Sequence, residues 1–374
     1  MSPTVTFVAP VPPYGSGIAS HSGYLATALD ARTDRTVLSW HHQYPQLLFK
    51  HTQRSATARP YPGARFLLRW WDPLSWIRAG RIARRSDVLL LTWTTPFHAV
   101  HYKVIAWAAR AGRRRTAGAS AGRPALVAVV HNVEPHEKMP LQRPLTRWVL
   151  GSCTGLVAHS TSVAEQLQEL IPGVEPVVTT MPTLLEVAPA PLPPTDEIRL
   201  LFFGFVRPYK GLDVALDALA LLREEGLRPR LRIRGEFWEP VEQFRAQVRA
   251  RGLEDQVDLQ PGYVPDGEVD GLLADCHAVV LPYRSASQSG VVPVAFAAGR
   301  PVVASNVGGF VDTVVEGVNG TLAEAGDPRS LADAIRRLVD DLPTLAAGTQ
   351  KDQPTWDDVA QAVLVAAGVH RGGD

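Results

Sequence analysis

Two cations three residues apart, at the end of an apolar run, are the strongest chemical signal in this chain. The stretch Leu200–Lys210 reads LLFFGFVRPYK, with Gly211 next, so a strand apolar enough to be buried ends in a glycine turn carrying Arg207 and Lys210. A guanidinium grips phosphate oxygens two at a time and an ammonium acts as a point charge; together they can neutralise a diphosphate as it leaves. The stretch His277–Ser305 repeats the arrangement: an apolar strand, a turn of small residues, an apolar helix closed by Gly299, and another strand. Ser289, Gly290 and Val291 fall at that helix start, where unpaired N–H groups suit an anion. Ser287 and Gln288, just before it, can meet a sugar or ribose hydroxyl.

The first half holds two more strand-end clusters. Pro10–Gly23 (PVPPYGSGIASHSG) lets the backbone of Gly15 and Gly17 approach an anion closely, with Ser16 or His21 able to donate, although a purely structural strand-to-helix turn would look the same. His131–Glu137 (HNVEPHE) groups two imidazoles, an amide and two carboxylates, a mixture poorly explained by packing. His131 is the expected substrate contact, and His21, Glu134 and His136 are the expected acceptor contacts; a helix start is the plainer reading of His136 and Glu137. No metal ligand set is expected, because the spacing of His131 and His136 does not place both on one helix face. Base recognition is expected from Gly235–Pro240 and Pro261–Pro265, with Gly235, Tyr263 and Val264 at the base; of Phe237, Trp238 and Tyr263, at least two are expected in the core.

These residues need a scaffold that ends strands at ligands. Apolar runs alternate with amphipathic stretches in both halves, the pattern of βα units on parallel sheets, so the fold class is α/β. Strands are expected at Val5–Ala9, Thr36–Trp40, Val88–Thr92, Leu126–His131 and Gly155–Ala158, then at Leu200–Phe203, Arg230–Arg234, Val257–Leu259, Ala278–Leu281 and Pro301–Ala304. Gly211–Glu225 places Leu212, Ala215, Leu216, Leu219 and Leu222 on one helical stripe. The proline-rich stretch Pro182–Pro194 can continue neither a helix nor a central strand and divides the chain. Domains are expected over 1–183 and 195–350, with a terminal helix within 351–374 headed by Trp356.

A length of 374 residues favours two domains, and 45% hydrophobic with 20% charged residues excludes disordered and collagen-like classes. The apolar start is broken by Pro10, Pro12 and Pro13, too short for a signal or membrane segment. Two cysteines, Cys153 and Cys276, imply neither a disulfide framework nor a zinc site, and a cytoplasmic location is expected. Residues 1–180 hold 20 Lys and Arg against 9 Asp and Glu, whereas 181–374 hold 18 against 28. The basic half, with Arg78, Arg81, Arg84, Arg85, Arg110 and Arg113–Arg115 near Trp70, Trp71 and Trp76, reads either as solvated helix faces or as a surface for an anionic membrane or acceptor. No nucleic acid partner is expected.

FFGFVRPYKG, HNVEPHE and QSGVVPVAFAAGRPVVASNVGGF followed by EGVNG together resemble the retaining nucleotide-sugar glycosyltransferases of family 4, over nearly the whole chain. The resemblance implies the GT-B fold. Two Rossmann-like domains would face a cleft, the first holding most of the acceptor, the second the sugar nucleotide, with the terminal helix crossing back to the first. It matches Arg207 and Lys210 to the phosphate pair, Gly15 and Gly17 to the glycine loop, and His131 to the strand-end histidine. Two family glutamates are missing: Ala286 and Val294 stand in their places. Asp312 stands where the family often has an acidic residue, although a helix cap would look the same.

The expected activity is transfer of a hexose from a UDP- or GDP-sugar to a hydroxyl of a sugar, natural-product or lipid-linked acceptor, with retention, without metal and without cofactor. A catalytically silent sugar-nucleotide binder and another GT-B enzyme, such as an epimerase or phosphorylase, are the alternatives.

Overall fold

The computed structural model describes residues 2–45, 59–111, 122–133, 141–286 and 289–369. The chain forms two compact units, one of residues 1–181 with 355–374 and the other of residues 182–354.

In the first unit the strands are β1 (Thr4–Val8), β2 (Asp34–His42), β3 (Arg65–Arg69), β4 (Val88–Trp93), β5 (Ala125–Val130), β6 (Gly155–Ala158) and β7 (Val177–Val178). They pair in the order β3-β2-β1-β4-β5-β6-β7, every ladder parallel. The central strands are apolar on both faces because helices cover both. Along β4 and β5, Leu89, Leu91, Leu126, Ala128 and Val130 pack into one cluster, while the alternating Val88, Leu90, Val127 and Val129 pack into the other, the period of two that a pleated strand imposes. The terminal helix Trp356–Ala366 covers the second face with Val359, Ala360 and Val363. It lies so close that a Cβ on Gly155 would stand 1.9 Å from the Ala366 carbonyl oxygen. Thr355 caps it by a reciprocal hydrogen-bond pair with Asp358, and Arg32 pairs with Asp357 beside it.

The second unit holds β8 (Arg199–Phe203), β9 (Arg230–Gly235), β10 (Val257–Pro261), β11 (Ala278–Leu281), β12 (Val302–Ser305) and β13 (Gly320–Ala323), ordered β10-β9-β8-β11-β12-β13 and again all parallel. Leu200 and Phe202 face one core and Leu201 and Phe203 the other. The Leu212–Glu224 helix buries the expected stripe of Leu212, Ala215, Leu216, Leu219 and Leu222. Arg300 is fully buried and donates to the carbonyls of Leu273, Ala190 and Pro191 at 2.7–2.8 Å, tying the proline-rich segment to the sheet. Both units are thus Rossmann-like, as the GT-B expectation required.

Each strand expected from an apolar run is present. Three more form at or near sheet margins: β3, exposed at both arginines; the two-residue β7; and β13, which begins at a glycine whose Cβ would lie 2.4 Å from the Val302 carbonyl oxygen.

Candidate functional site

The end of β8 is shaped by glycines that leave no room for side chains. Gly204 has φ +102°, and a Cβ there would lie 3.3 Å from Lys210 Nζ. Gly235, at the end of β9, is pressed against it: its Cβ would fall 1.8 Å from the Gly204 carbonyl oxygen. The Gly204 and Val206 amides donate to the carbonyls of Arg234 and Glu236 at 3.0 and 2.8 Å, so the chain beyond β8 continues the ladder before turning. A 3₁₀ turn over Pro208–Lys210 follows, with the Lys210 amide donating to the Arg207 carbonyl at 2.9 Å. Gly211 then takes φ +67° where a Cβ would stand 2.0 Å from the Pro282 carbonyl oxygen, a conformation and a clearance that only glycine accommodates.

This turn delivers Lys210 into the protein. The residue is 7% exposed, and its Nζ lies 5.1 Å from the centre of the Tyr283 ring. Burial holds the ammonium below its ordinary pKa; Tyr209 opposes that shift and Arg207 adds to it. Arg207 is half-buried and stacks its guanidinium 3.6 Å from the centre of the Trp238 indole, itself 53% exposed. Among the described residues neither cation forms an ion pair. A buried ammonium without a carboxylate is costly unless an anion arrives.

Arg284 holds the turn in place. Its guanidinium donates to the Pro208 carbonyl at 3.0 Å and to Asp213 at 2.9 Å, and its amide donates to the Tyr209 carbonyl at 2.7 Å. Asp213 is held below the usual carboxylate range chiefly by that hydrogen bond.

Beyond β11, Gly290 precedes the Val291–Ala297 helix, and the Val291 amide already donates to Ser289 Oγ at 3.2 Å. Ser287 and Gln288 lie outside the described residues. The positions of the absent glutamates are now explicit. Val294 is 3% exposed within the apolar cluster of Leu281 and Phe296. The Ala286 carbonyl oxygen abuts Gly308, where a Cβ would come within 1.5 Å. Among the aromatic residues, the expectation of burial is corrected: Trp238 and Tyr263 are 53% and 64% exposed, and only Phe237 packs on the core. The Trp238 amide donates to the Val206 carbonyl at 3.0 Å, which ties this segment to the chain beyond β8. Gly235 is buried against Gly204, and Val264 packs partly on the core.

In the first unit Gly15, Ser16 and Gly17 are exposed, and Ser16 Oγ caps the Gly17–Asp30 helix by accepting from the Ala19 amide at 3.2 Å. His21, four residues on, is buried away from this turn. It meets His131, which directly follows β5, and His159, which directly follows β6; the His21 and His159 Nε2 atoms are 2.7 Å apart. Burial, the largest cause for each ring, pushes His131 down to about 3 and His159 to about 4, with His21 also lowered, so all three are neutral imidazoles. The chain thus brings together His21 and His131 and adds His159, which motif reading passed over although it too is a polar residue at a strand end. Glu134 and His136 lie outside the described residues.

The model described as Glycosyltransferase Family 4 matches residues 15–182, and that described as Glycosyl transferases group 1 matches residues 197–341. The chain belongs to the family-4-type glycosyltransferases of GT-B fold. Curated relatives of this glycosyltransferase family include the D-inositol 3-phosphate glycosyltransferase of Acidothermus cellulolyticus, 32% identical over 48% of this chain and 42% of that protein. The enzyme of the same name from Stackebrandtia nassauensis is 31% identical over 59% of this chain and 55% of its own length. The chain therefore spans about half the length of the curated relatives it matches. Solved structures of the same fold include HepE of Anabaena in complex with UDP-glucose, at TM-score 0.68, 18% identity, 98% of this chain and 100% of that one. A lipopolysaccharide outer core galactosyltransferase, WaaB, matches at TM-score 0.68, 13% identity, 97% of this chain and 99% of that one.

Proposed function

We propose that this family-4 chain transfers a hexose from a nucleoside diphosphate sugar to an acceptor hydroxyl. The observation that carries the reading is the pairing of Arg207 with a buried, carboxylate-free Lys210 at the carboxyl end of β8, the place where parallel sheets hold ligands. The UDP-glucose held in the HepE complex supports a nucleotide sugar as the donor class here.

In the proposed step the bond between the anomeric carbon and the diphosphate oxygen breaks, and the electron pair leaves with the diphosphate. Arg207 and Lys210 neutralise that charge, the task a divalent cation performs in other transferases, so the phosphate step needs no added metal. The acceptor oxygen bonds to the anomeric carbon from the face the leaving group occupied, and its proton passes to a leaving phosphate oxygen. Configuration is thereby retained without a carboxylate nucleophile, in keeping with Val294 and Ala286 at the positions of the family glutamates. An anionic or lipid-linked acceptor suits the basic first unit, where Lys103, Trp107, Arg110 and Arg123 line a surface pocket of about 380 Å³. Arg113–Arg115 lie outside the described residues.

The test is donor turnover by purified protein with UDP- and GDP-hexoses, with and without added Mg²⁺. Arg207→Ala or Lys210→Ala should each lower kcat by about 10²–10³-fold, the usual loss for one donor to developing negative charge. Near-normal turnover in both variants would refute the assignment. The absence of both glutamates favours one second reading, a silent binder; nucleotide binding with no turnover of any donor would establish it.

A further inference from the structure

The histidine trio of the first unit has no role in the proposed phosphate step, and its geometry is unlike that of packed core residues. His21 comes from the Gly17–Asp30 helix, His131 and His159 from the residues directly after β5 and β6. Their ligand atoms all lie within 4.8 Å of one another, and all three rings are at most 5% exposed. The ring centres of His131 and His159 stand 4.4 and 4.8 Å from that of His21, both edge-on, and the Trp356 ring meets His21 edge-on at 4.9 Å.

Hydrogen bonding leaves this cluster incomplete. His159 Nδ1 lies 3.1 Å from the Thr179 carbonyl oxygen, which fixes the proton on Nδ1 and leaves Nε2 as a lone pair. That lone pair faces His21 Nε2 at 2.7 Å, so the two rings share a single proton. His131 Nε2 and His21 Nδ1 are buried without partners among the described residues, and each such orphan costs about 1–3 kcal/mol.

We propose that His21, His131 and His159 bind one divalent transition-metal ion of the zinc type. Three neutral imidazole nitrogens, with no carboxylate among them, select Zn²⁺, Co²⁺, Ni²⁺ or Cu²⁺ over Mg²⁺ and Ca²⁺. With metal–nitrogen bonds of about 2.0–2.1 Å, tetrahedral ligation separates the nitrogens by about 3.3 Å, a value between the 2.7 Å of the shared-proton pair and the 4.8 Å limit of the cluster. The Thr179 carbonyl serves His159 as the outer partner that ligating histidines ordinarily have, orienting the ring and fixing its tautomer. Three protein ligands leave a fourth position for water or a small molecule. The proposed ligands come from three elements distant in sequence, a set that the spacing of His131 and His136 does not reveal.

The experiment is a titration of untagged, metal-stripped protein with Co²⁺, followed by visible absorption and by equilibrium dialysis. One Co²⁺ per chain is expected, with the intense visible bands of tetrahedral coordination, displaced by Zn²⁺ and accompanied by a higher melting temperature. His159→Gln and His21→Gln should each weaken Co²⁺ binding at least tenfold, while His41→Ala with His42→Ala, which removes the adjacent histidines at the end of β2, should leave it unchanged. Should the trio variants not fold, the wild-type spectrum and stoichiometry still decide. Absence of a tetrahedral spectrum at one equivalent overturns the proposal, as does Co²⁺ binding that survives the trio substitutions or disappears with the His41 and His42 pair. Donor turnover is measured separately, so either reading can fail without the other.

Discussion

Lys210 is held at 7% exposure by a turn that gives it no counter-charge among the described residues, an arrangement that costs stability. Lys210→Met, which keeps the length of the side chain and removes the charge, should therefore leave the melting temperature of the unliganded protein equal to or above that of wild type while removing diphosphate affinity. Thermal melts with and without UDP check both halves of that expectation. A second residue-scale prediction concerns the buried cluster around Trp40. Burial lowers His98 well below the ordinary histidine value, and His101 is lowered as well, again chiefly by burial. Below the ordinary value of 6.5 the unfolded chain takes up protons that the folded chain refuses, so stability falls as pH drops from 6.5. Each histidine kept neutral contributes a slope of about 1.4 kcal/mol per pH unit. His98→Gln should flatten the dependence seen in denaturant melts between pH 6.5 and 5. At this scale the placement of Arg207 and Lys210 beyond a buried strand was legible, because an apolar run gives way there to a glycine and two cations. His159 was not, because a lone imidazole after a strand acquires meaning only when two others arrive from elsewhere in the fold.

At the scale of elements, the placement of the Arg207–Lys210 turn depends on how tightly strand ends press together. The Gly235→Ala change puts a methyl 1.8 Å from the Gly204 carbonyl oxygen, so the end of β8 must shift, at a cost of about 1–3 kcal/mol for an overpacked site. The Lys210 turn should be displaced with it. Arg284 acts as a positioning residue through its bonds to Pro208, Tyr209 and Asp213. Arg284→Ala should raise the donor KM and lower kcat about tenfold, and Arg284→Lys should not rescue it, since one ammonium cannot hold both the carbonyl and the carboxylate. Initial-rate kinetics over a range of donor concentrations separate the two effects. The central strands were readable because helices on both faces demand continuous apolar runs, as in β4 and β5. The marginal β3 and β13 were hidden because RFLLR exposes its ends and GTLA opens on a glycine that serves a close approach. Trp238 and Tyr263 misled in the opposite direction: aromatic composition suggested core, and the loop at the strand ends holds them in solvent.

The whole molecule is two parallel-sheet units of opposite charge balance, the basic one closed by a helix from the far end of the chain. The periodicity of apolar runs made the doubly wound architecture readable, and the family model matches extend that reading to the GT-B glycosyltransferases of family 4. What composition could not separate was a solvated basic surface from a docking one. The first unit exposes Trp71, Leu74, Trp107 and Trp148, each 47–64% accessible, with Arg78, Arg81 and Arg85 also in solvent. Association with vesicles containing anionic lipid is the expected outcome of a flotation assay, weakening as salt rises from 0.05 to about 0.5 M because such attraction is screened. Protein that stays unbound at low salt would leave this surface to soluble anions.

The central claim is that the cations at the end of β8 hold a diphosphate, and calorimetric titration of UDP and GDP into wild type, Arg207→Ala and Lys210→Met tests it most directly. Saturable binding of at least one nucleotide to wild type is predicted, weakened at least tenfold in each variant, with the free nucleoside binding alike to all three proteins. Equal nucleotide affinity in wild type and both variants would contradict the account.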